Sequence, residues 1–149
     1  MDLKNVLDER IVDLNMNVRT KDEAIRYLAE KLEKADYIDD AGEFVKDIYL
    51  RESQGVTGIG NYVAIPHGKS DSVKQVSIAI GKVEPEIEWE TLDGKGVKLI
   101  FLFAVSNNKD FAKNHMRLLA QVAAKLGNDE NIEQLLKAET FEDLKKVFQ

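Results

Sequence analysis

The chain has 149 residues, 44% of them hydrophobic and 32% charged, with 21 lysines and arginines against 27 acidic residues for a formal charge of −6. That balance excludes non-specific nucleic-acid binding, which needs a basic footprint, and the absence of cysteine excludes disulfides, thiolate metal sites and cysteine nucleophiles. No apolar run approaches the ~20 residues of a membrane helix, and Met1–Asn5 lead into no signal-like stretch, so the expectation is a cytoplasmic protein without membrane insertion, folded as one domain over 1–149.

Ile11, Val12 and Leu14 form a short β-capable segment. Thr20 precedes Glu23 at the spacing of a capping box, which opens a helix at about Lys21. Ala24, Ile25, Leu28, Ala29 and Leu32 then fall on one helical face. A second helix is expected after Asp39 or Asp40, carrying Phe44, Val45, Ile48 and Tyr49 inward and ending near Gly55. Tyr62-Val63-Ala64-Ile65, residues 76–80 and residues 87–89 are strand candidates. Asp93-Gly94 signals a turn. The nearly all-apolar run from Val97 to Val105 suits a central strand buried on both faces. A long helix is expected from about Lys109 to Leu126, stopped at Gly127, then short helices around 129–137 and 140–148. Strands covered by helices on both sides make an α/β sandwich, and the clustered middle strands favour a mixed sheet over a purely parallel one.

Only two histidines are present, His67 and His115. His67 lies in Ala64-Ile65-Pro66-His67-Gly68, directly after a strand candidate. Pro66 fixes its own φ and pushes Ile65 toward an extended backbone, while Gly68 permits a sharp turn or a close approach. An imidazole in a loop behind a stiffened strand end suits a nucleophile or a ligand; it also suits a plain surface histidine. Gly55, Gly58 and Gly60 fall within six residues. Such a loop can turn its N–H groups toward an anion, or simply turn. Its spacing is neither a Walker loop nor a dinucleotide fingerprint. Arg51, near the end of the second helix, can clamp an anion through parallel hydrogen bonds or complement the helix dipole. Phe111, His115, Leu119, Val122 and Leu126 recur at intervals of 4, 4, 3 and 4 residues, so His115 occupies the stripe that faces the sheet, as a site residue or as a hydrogen-bonded core histidine. No metal-ligand spacing is recognisable. Two histidines, an arginine and backbone donors suit a phosphoryl group, whose transfer rests on positioning and on charge stabilisation at the equatorial oxygens.

The run Arg51-Glu52-Ser53-Gln54-Gly55-Val56-Thr57-Gly58-Ile59-Gly60-Asn61, followed by Ala64-Ile65-Pro66-His67-Gly68-Lys69, resembles the active-site segment of the fructose/mannitol-type enzyme IIA domain of the bacterial phosphoenolpyruvate-dependent sugar phosphotransferase system. The likeness continues through Leu92-Asp93-Gly94, the apolar run to Val105, and His115-Met116-Arg117-Leu118-Leu119-Ala120, covering essentially the whole chain. The resemblance implies that His67 is phosphorylated at Nε2 by the phosphocarrier HPr and passes the group to a cysteine of an enzyme IIB, with no cofactor or metal. It implies that His115 and Arg51 contact the phosphoryl group; residues 57–61, Gly58 and Asn61 among them, are expected to add donors. Tyr62 stands where glycine is more usual in the family, and Met116 where leucine is, the latter a volume-conserving change. Ile59, Tyr62 and Phe111 are candidates for an apolar docking rim. A fructose-type transport role is favoured by Phe101-Leu102-Phe103 and Leu92-Asp93-Gly94; the alternatives are a regulatory enzyme IIA of the nitrogen-related branch and a metal hydrolase using both histidines.

Overall fold

The computed structural model describes residues 6–108 and 112–149, with side chains from His115 onward in the helix that starts at Ala112. Four helices open on a side chain that accepts a hydrogen bond from the third residue of the helix. In α1 (Lys21–Lys34) Thr20 accepts from the Glu23 N–H, and in α2 (Ala41–Glu52) Asp40 accepts from Glu43. Asn128 and Thr140 do the same for α4 (Asp129–Lys137) and α5 (Phe141–Val147). The box at Thr20 is only half closed, because the Glu23 carboxylate accepts from the Arg19 N–H instead, at 3.3 Å. The expected start of α3 (Ala112–Leu126) near Lys109 and the inward placing of Phe111 lie outside the described residues.

The strands are β1 (Val12–Asp13), β2 (Gly58–Gly60), β3 (Val63–Ala64), β4 (His67–Ser70), β5 (Ser77–Ile87) and β6 (Val97–Ser106). They make one mixed sheet in the order β1-β5-β6-β3-β2, with β4 paired to the far half of the same β6 edge that holds β3. β5 and β6 run antiparallel through the centre; β1 pairs parallel to β5, β3 and β4 pair parallel to β6, and β2 closes the edge antiparallel to β3. The mixed α/β sandwich is therefore the observed architecture. Val97–Ser106 is the central strand the apolar run anticipated, with Leu99 to Ala104 all buried.

Two expectations need correction. Residues 76–80 and 87–89 are not separate strands: one strand runs from Ser77 to Ile87, with a register shift between Lys82 and Ile87. His67 does not hang in a loop either; it is the first residue of β4, in register with Phe103.

The two sheet faces carry separate cores. Alternation along β6 sends Ile100, Leu102 and Ala104 toward α1 and α2, and Leu99, Phe101 and Phe103 toward α3, α4 and α5. Gly68 sits where α2 crosses β4. A Cβ there would stand 2.7 Å from Phe44 and 2.9 Å from Ile48, both fully buried. Gly68→Ala is accordingly expected to destabilise the fold by about 1–3 kcal/mol through overpacking, read as a lowered denaturation midpoint with the slope unchanged. Among the described residues no helix is long and apolar enough to cross a membrane.

Candidate functional site

The break between β3 and β4 creates the site. Ile65-Pro66 separates two short strands on one edge of β6, and Pro66 still accepts from the Phe103 N–H at 3.0 Å, so the edge is bent without being released. His67 emerges there, half-buried, on the same sheet face as its register partner Phe103 and hence on the side of α3. This is also the carboxyl-terminal end of β6, the edge where open α/β sheets usually bind ligands.

Both ring nitrogens of His67 are engaged. Arg51 Nε lies 3.0 Å from Nε2, and His67 Nδ1 lies 3.2 Å from the Ile65 carbonyl oxygen. A guanidinium N–H can only donate, so Nε2 must be the unprotonated acceptor; the proton then sits on Nδ1 and is donated to Ile65. The ring is thus neutral, in one tautomer, with its Nε2 lone pair turned toward a cation. Arg51 is held in that pose by a second hydrogen bond, from Nη1 to the Gly55 carbonyl at 3.0 Å.

Burial is the main force on the His67 pKa and lowers it below the ordinary 6.5; the Ile65 hydrogen bond and the Glu52 charge oppose this, while the Arg51 charge reinforces it. A nucleophile must be unprotonated, so this shift keeps Nε2 available to lower pH than a free imidazole would. An NMR titration of the ring is expected to give a midpoint below 6.5. A midpoint at or above that value would contradict the assigned environment.

His115 lies in the first part of α3, half-buried, with Leu118, Val122 and Leu126 of the same helix buried beneath the sheet. Its pKa is lowered by burial and, secondarily, by the charge of Lys69. Lys69 is two residues from His67 on β4, and alternate strand residues share a face. Both histidines therefore belong to the α3 side of the β4 edge, as the helical phase of His115 anticipated.

The expected phosphoryl donors Gly58 and Asn61 have other occupations. A Cβ at Gly58 would stand 2.4 Å from Thr91 Cγ2 and 2.6 Å from the Glu90 carbonyl, so glycine is needed there for close packing. Residues 58–60 form a strand against β3, not an open loop of N–H groups. The Asn61 N–H is donated to Asp93 at 3.0 Å and its side-chain amide to Asp129 at 3.4 Å. Among the described residues no group of three or more His, Asp and Glu side chains is placed to hold a metal ion.

The large hydrophobic residues exposed on the described surface are Leu50, Val56, Ile59, Leu92 and Met116. Leu50 and Met116 are the chain neighbours of Arg51 and His115, and the Leu92 N–H bonds to the Gly58 carbonyl at 3.0 Å, placing its segment beside Ile59. Exposed apolar side chains next in the chain to two site residues are what a surface that docks a partner would carry. Of the rim residues named from sequence, Ile59 is exposed, Tyr62 is half-buried beneath the Lys95 and Lys98 ammonium groups, and Phe111 lies outside the described residues. Leu50 was missed, although it was readable: it falls two residues past Ile48, off the buried stripe of α2.

A family model described as "Phosphoenolpyruvate-dependent sugar phosphotransferase system, EIIA 2" matches residues 5–149. The chain is 31% identical over 145 residues to the PTS system 2-O-alpha-mannosyl-D-glycerate-specific EIIABC component of Escherichia coli, covering 97% of this chain but only 22% of that protein. It is 30% identical over 146 residues to the mannitol-specific phosphotransferase enzyme IIA component of Bacillus subtilis, covering 96% of each. Among solved structures, the nitrogen regulatory protein IIA-Ntr from Neisseria meningitidis superposes with a TM-score of 0.89 at 26% identity, covering 99% of both chains. The segment that carries Arg51 and His67, the strand-edge geometry and the match over almost every residue agree: the chain belongs to the EIIA 2 family of the phosphoenolpyruvate-dependent sugar phosphotransferase system.

Proposed function

We propose that the chain is a cytoplasmic phosphocarrier in which His67 accepts a phosphoryl group from phospho-HPr and passes it to a cysteine of an enzyme IIB, in the fructose-type sugar-transport branch. The observation that carries this reading is the Nε2 atom of His67, unprotonated and facing the Arg51 guanidinium at 3.0 Å. The E. coli relative, whose name joins EIIA to B and C, supports the IIB acceptor by likeness.

In the forward step the Nε2 lone pair attacks phosphorus in line. The new N–P bond forms as the bond from phosphorus to the donor imidazole breaks, and that ring departs with the bonding pair. Positive charge then develops on the His67 ring, where the Ile65 carbonyl accepts from Nδ1–H and the Glu52 carboxylate favours the charge. Arg51 must leave Nε2 as phosphorus arrives and turn to the equatorial oxygens, where its charge-assisted bonds are worth more. His115, held neutral by its surroundings, donates one N–H to the same oxygens. Gly58 and Asn61 shape the rim and are not assigned as donors. The second step reverses the first, with a thiolate as nucleophile.

The test is incubation with phosphoenolpyruvate, enzyme I and HPr, followed by peptide mass spectrometry. One phosphoryl group on the peptide containing His67 is expected; no label, or a label elsewhere, overturns the proposal. A second reading, regulation by phosphorylation-dependent protein binding, is favoured by the close superposition on the nitrogen regulatory protein. Restoration of fructose uptake in a strain lacking its own enzyme IIA supports transport, and co-purification with a non-transport target in its place supports regulation.

A further inference from the structure

Arg51 and Glu52 are the last two residues of α2, where helices fray, and residues 53–56 beyond them are exposed. Arg51 holds its pose on Nε2 through the Gly55 carbonyl, so the exposed turn that carries both groups is what an anchor beyond the helix has to fix. Thr57 is the first buried residue after α2, only 2% exposed. Its hydroxyl donates to Glu52 Oε2 at 2.7 Å and accepts from Trp89 Nε1–H at 3.4 Å. The other Glu52 oxygen takes Lys21 Nζ at 2.6 Å, and that ammonium also contacts Glu90 Oε2 at 2.7 Å while lying 5.0 Å over the Trp89 ring. The circuit closes: Glu52, Thr57, Trp89 and its neighbour Glu90, Lys21, and back to Glu52.

We infer that the Thr57–Glu52–Lys21–Trp89 circuit is a positioning device that fixes the last turn of α2 and so sets Arg51 against His67. The inference rests on the phosphocarrier reading for its kinetic consequence and on geometry alone for its structural one. Buried ion pairs are poor sources of net stability, because desolvation offsets their attraction. Here the Lys21 side chain is 18% exposed and that of Glu52 7%. Burial opposes the charge on Lys21, yet its bonds to Glu52 and Glu90 prevail and raise its pKa, so the ammonium stays charged and holds both carboxylates. The circuit also draws together three elements distant in sequence: the start of α1, the end of α2 and the segment after β5. A shift of this frame moves a guanidinium that must meet a phosphoryl oxygen within hydrogen-bond reach.

The discriminating pair is Thr57→Val, which keeps the shape but removes both hydrogen bonds, and Thr57→Ser, which keeps the hydroxyl. With phospho-HPr as donor, Thr57→Val is expected to lower kcat about 10- to 100-fold with KM little changed, and Thr57→Ser to recover most of the loss. In the unphosphorylated protein, the ring 15N signals of His67 are expected to show the Nδ1–H tautomer in wild type and in Thr57→Ser, and a mixture of tautomers in Thr57→Val. Wild-type kcat and spectrum in Thr57→Val overturn the inference, as does equal impairment of the two variants or an effect on KM alone. Should Thr57→Val fail to fold, judged by its amide spectrum, Lys21→Met, which removes the ammonium that holds Glu52 and leaves the carboxylate in place, carries the same kinetic and spectral expectations. If wild type is not labelled by phospho-HPr, the phosphocarrier reading falls while the ring spectra still decide the positioning role.

Discussion

His67→Ala is expected to abolish labelling by phospho-HPr, whereas His115→Ala remains labelled at His67 but more slowly. The asymmetry follows from the two surroundings. At His67 the Nε2 lone pair is defined by an incoming donor on one side and a carbonyl acceptor on the other, at 3.0 and 3.2 Å, so its ring is set up to form a bond at one atom. At His115 the ring sits in the buried-facing stripe of α3, its pKa lowered by burial and by Lys69, which fits a neutral donor of one hydrogen bond. Losing one oriented donor to transition-state oxygens slows a reaction about 10²–10³-fold, while losing the acceptor atom leaves nothing to label. Quench-flow with phospho-HPr and peptide mapping separates the outcomes. A label on His115 in the His67→Ala protein would reverse the two assignments.

The fold was legible where local rules decide, and less so where distant contacts do. Thr20, Asp40, Asn128 and Thr140 cap their helices, and the spacing at Thr20 announced α1, because a cap involves only a few successive residues. β4 was not readable: His67-Gly68-Lys69-Ser70 shows no apolar alternation, since its buried positions are Gly68, kept small by the approach of Phe44 and Ile48, and Ser70, whose hydroxyl meets that of Ser72 at 3.0 Å. The sequence here reads as two strands, 76–80 and 87–89, and the part of β5 that joins them carries Pro85. Yet β1 pairs with β5 only at Ile80 and Gly81, and Lys82 is the last residue before the register shift against β6, so Pro85 removes no regular ladder bond. The glycine run reads as an anion loop or a plain turn, yet its residues 58–60 form a strand, because the outcome there depends on Glu90 and Thr91, about thirty residues away. Arg51 and His67 were legible as residue types suited to phosphoryl chemistry. The circuit behind them was not: Thr57 and Trp89 are 32 positions apart, and charged residues spaced along a chain carry no sign of which pairs will meet.

Arg51→Gln sets two effects of opposite sign against each other. The substitution removes the Nε–H that occupies Nε2 of His67, which by itself frees the nucleophile; a hydrogen bond of that kind is worth about 0.5–1.5 kcal/mol net. It also removes the cation that would meet the equatorial oxygens, and loss of such an oriented donor typically costs about 2.7–4 kcal/mol of transition-state stabilisation. The second term is larger, so transfer from phospho-HPr is expected to slow by about 10–10³-fold. The first term has its own signature. The Arg51 charge helps to lower the His67 pKa, so its removal is expected to raise the titration midpoint of that ring relative to wild type. A protein that transfers slowly and titrates higher has lost the guanidinium from both of its positions, on the lone pair before the reaction and on the oxygens during it. Slow transfer with an unchanged midpoint would mean that Arg51 acts on the phosphoryl group alone and that its contact with Nε2 has no part in preparing the nucleophile.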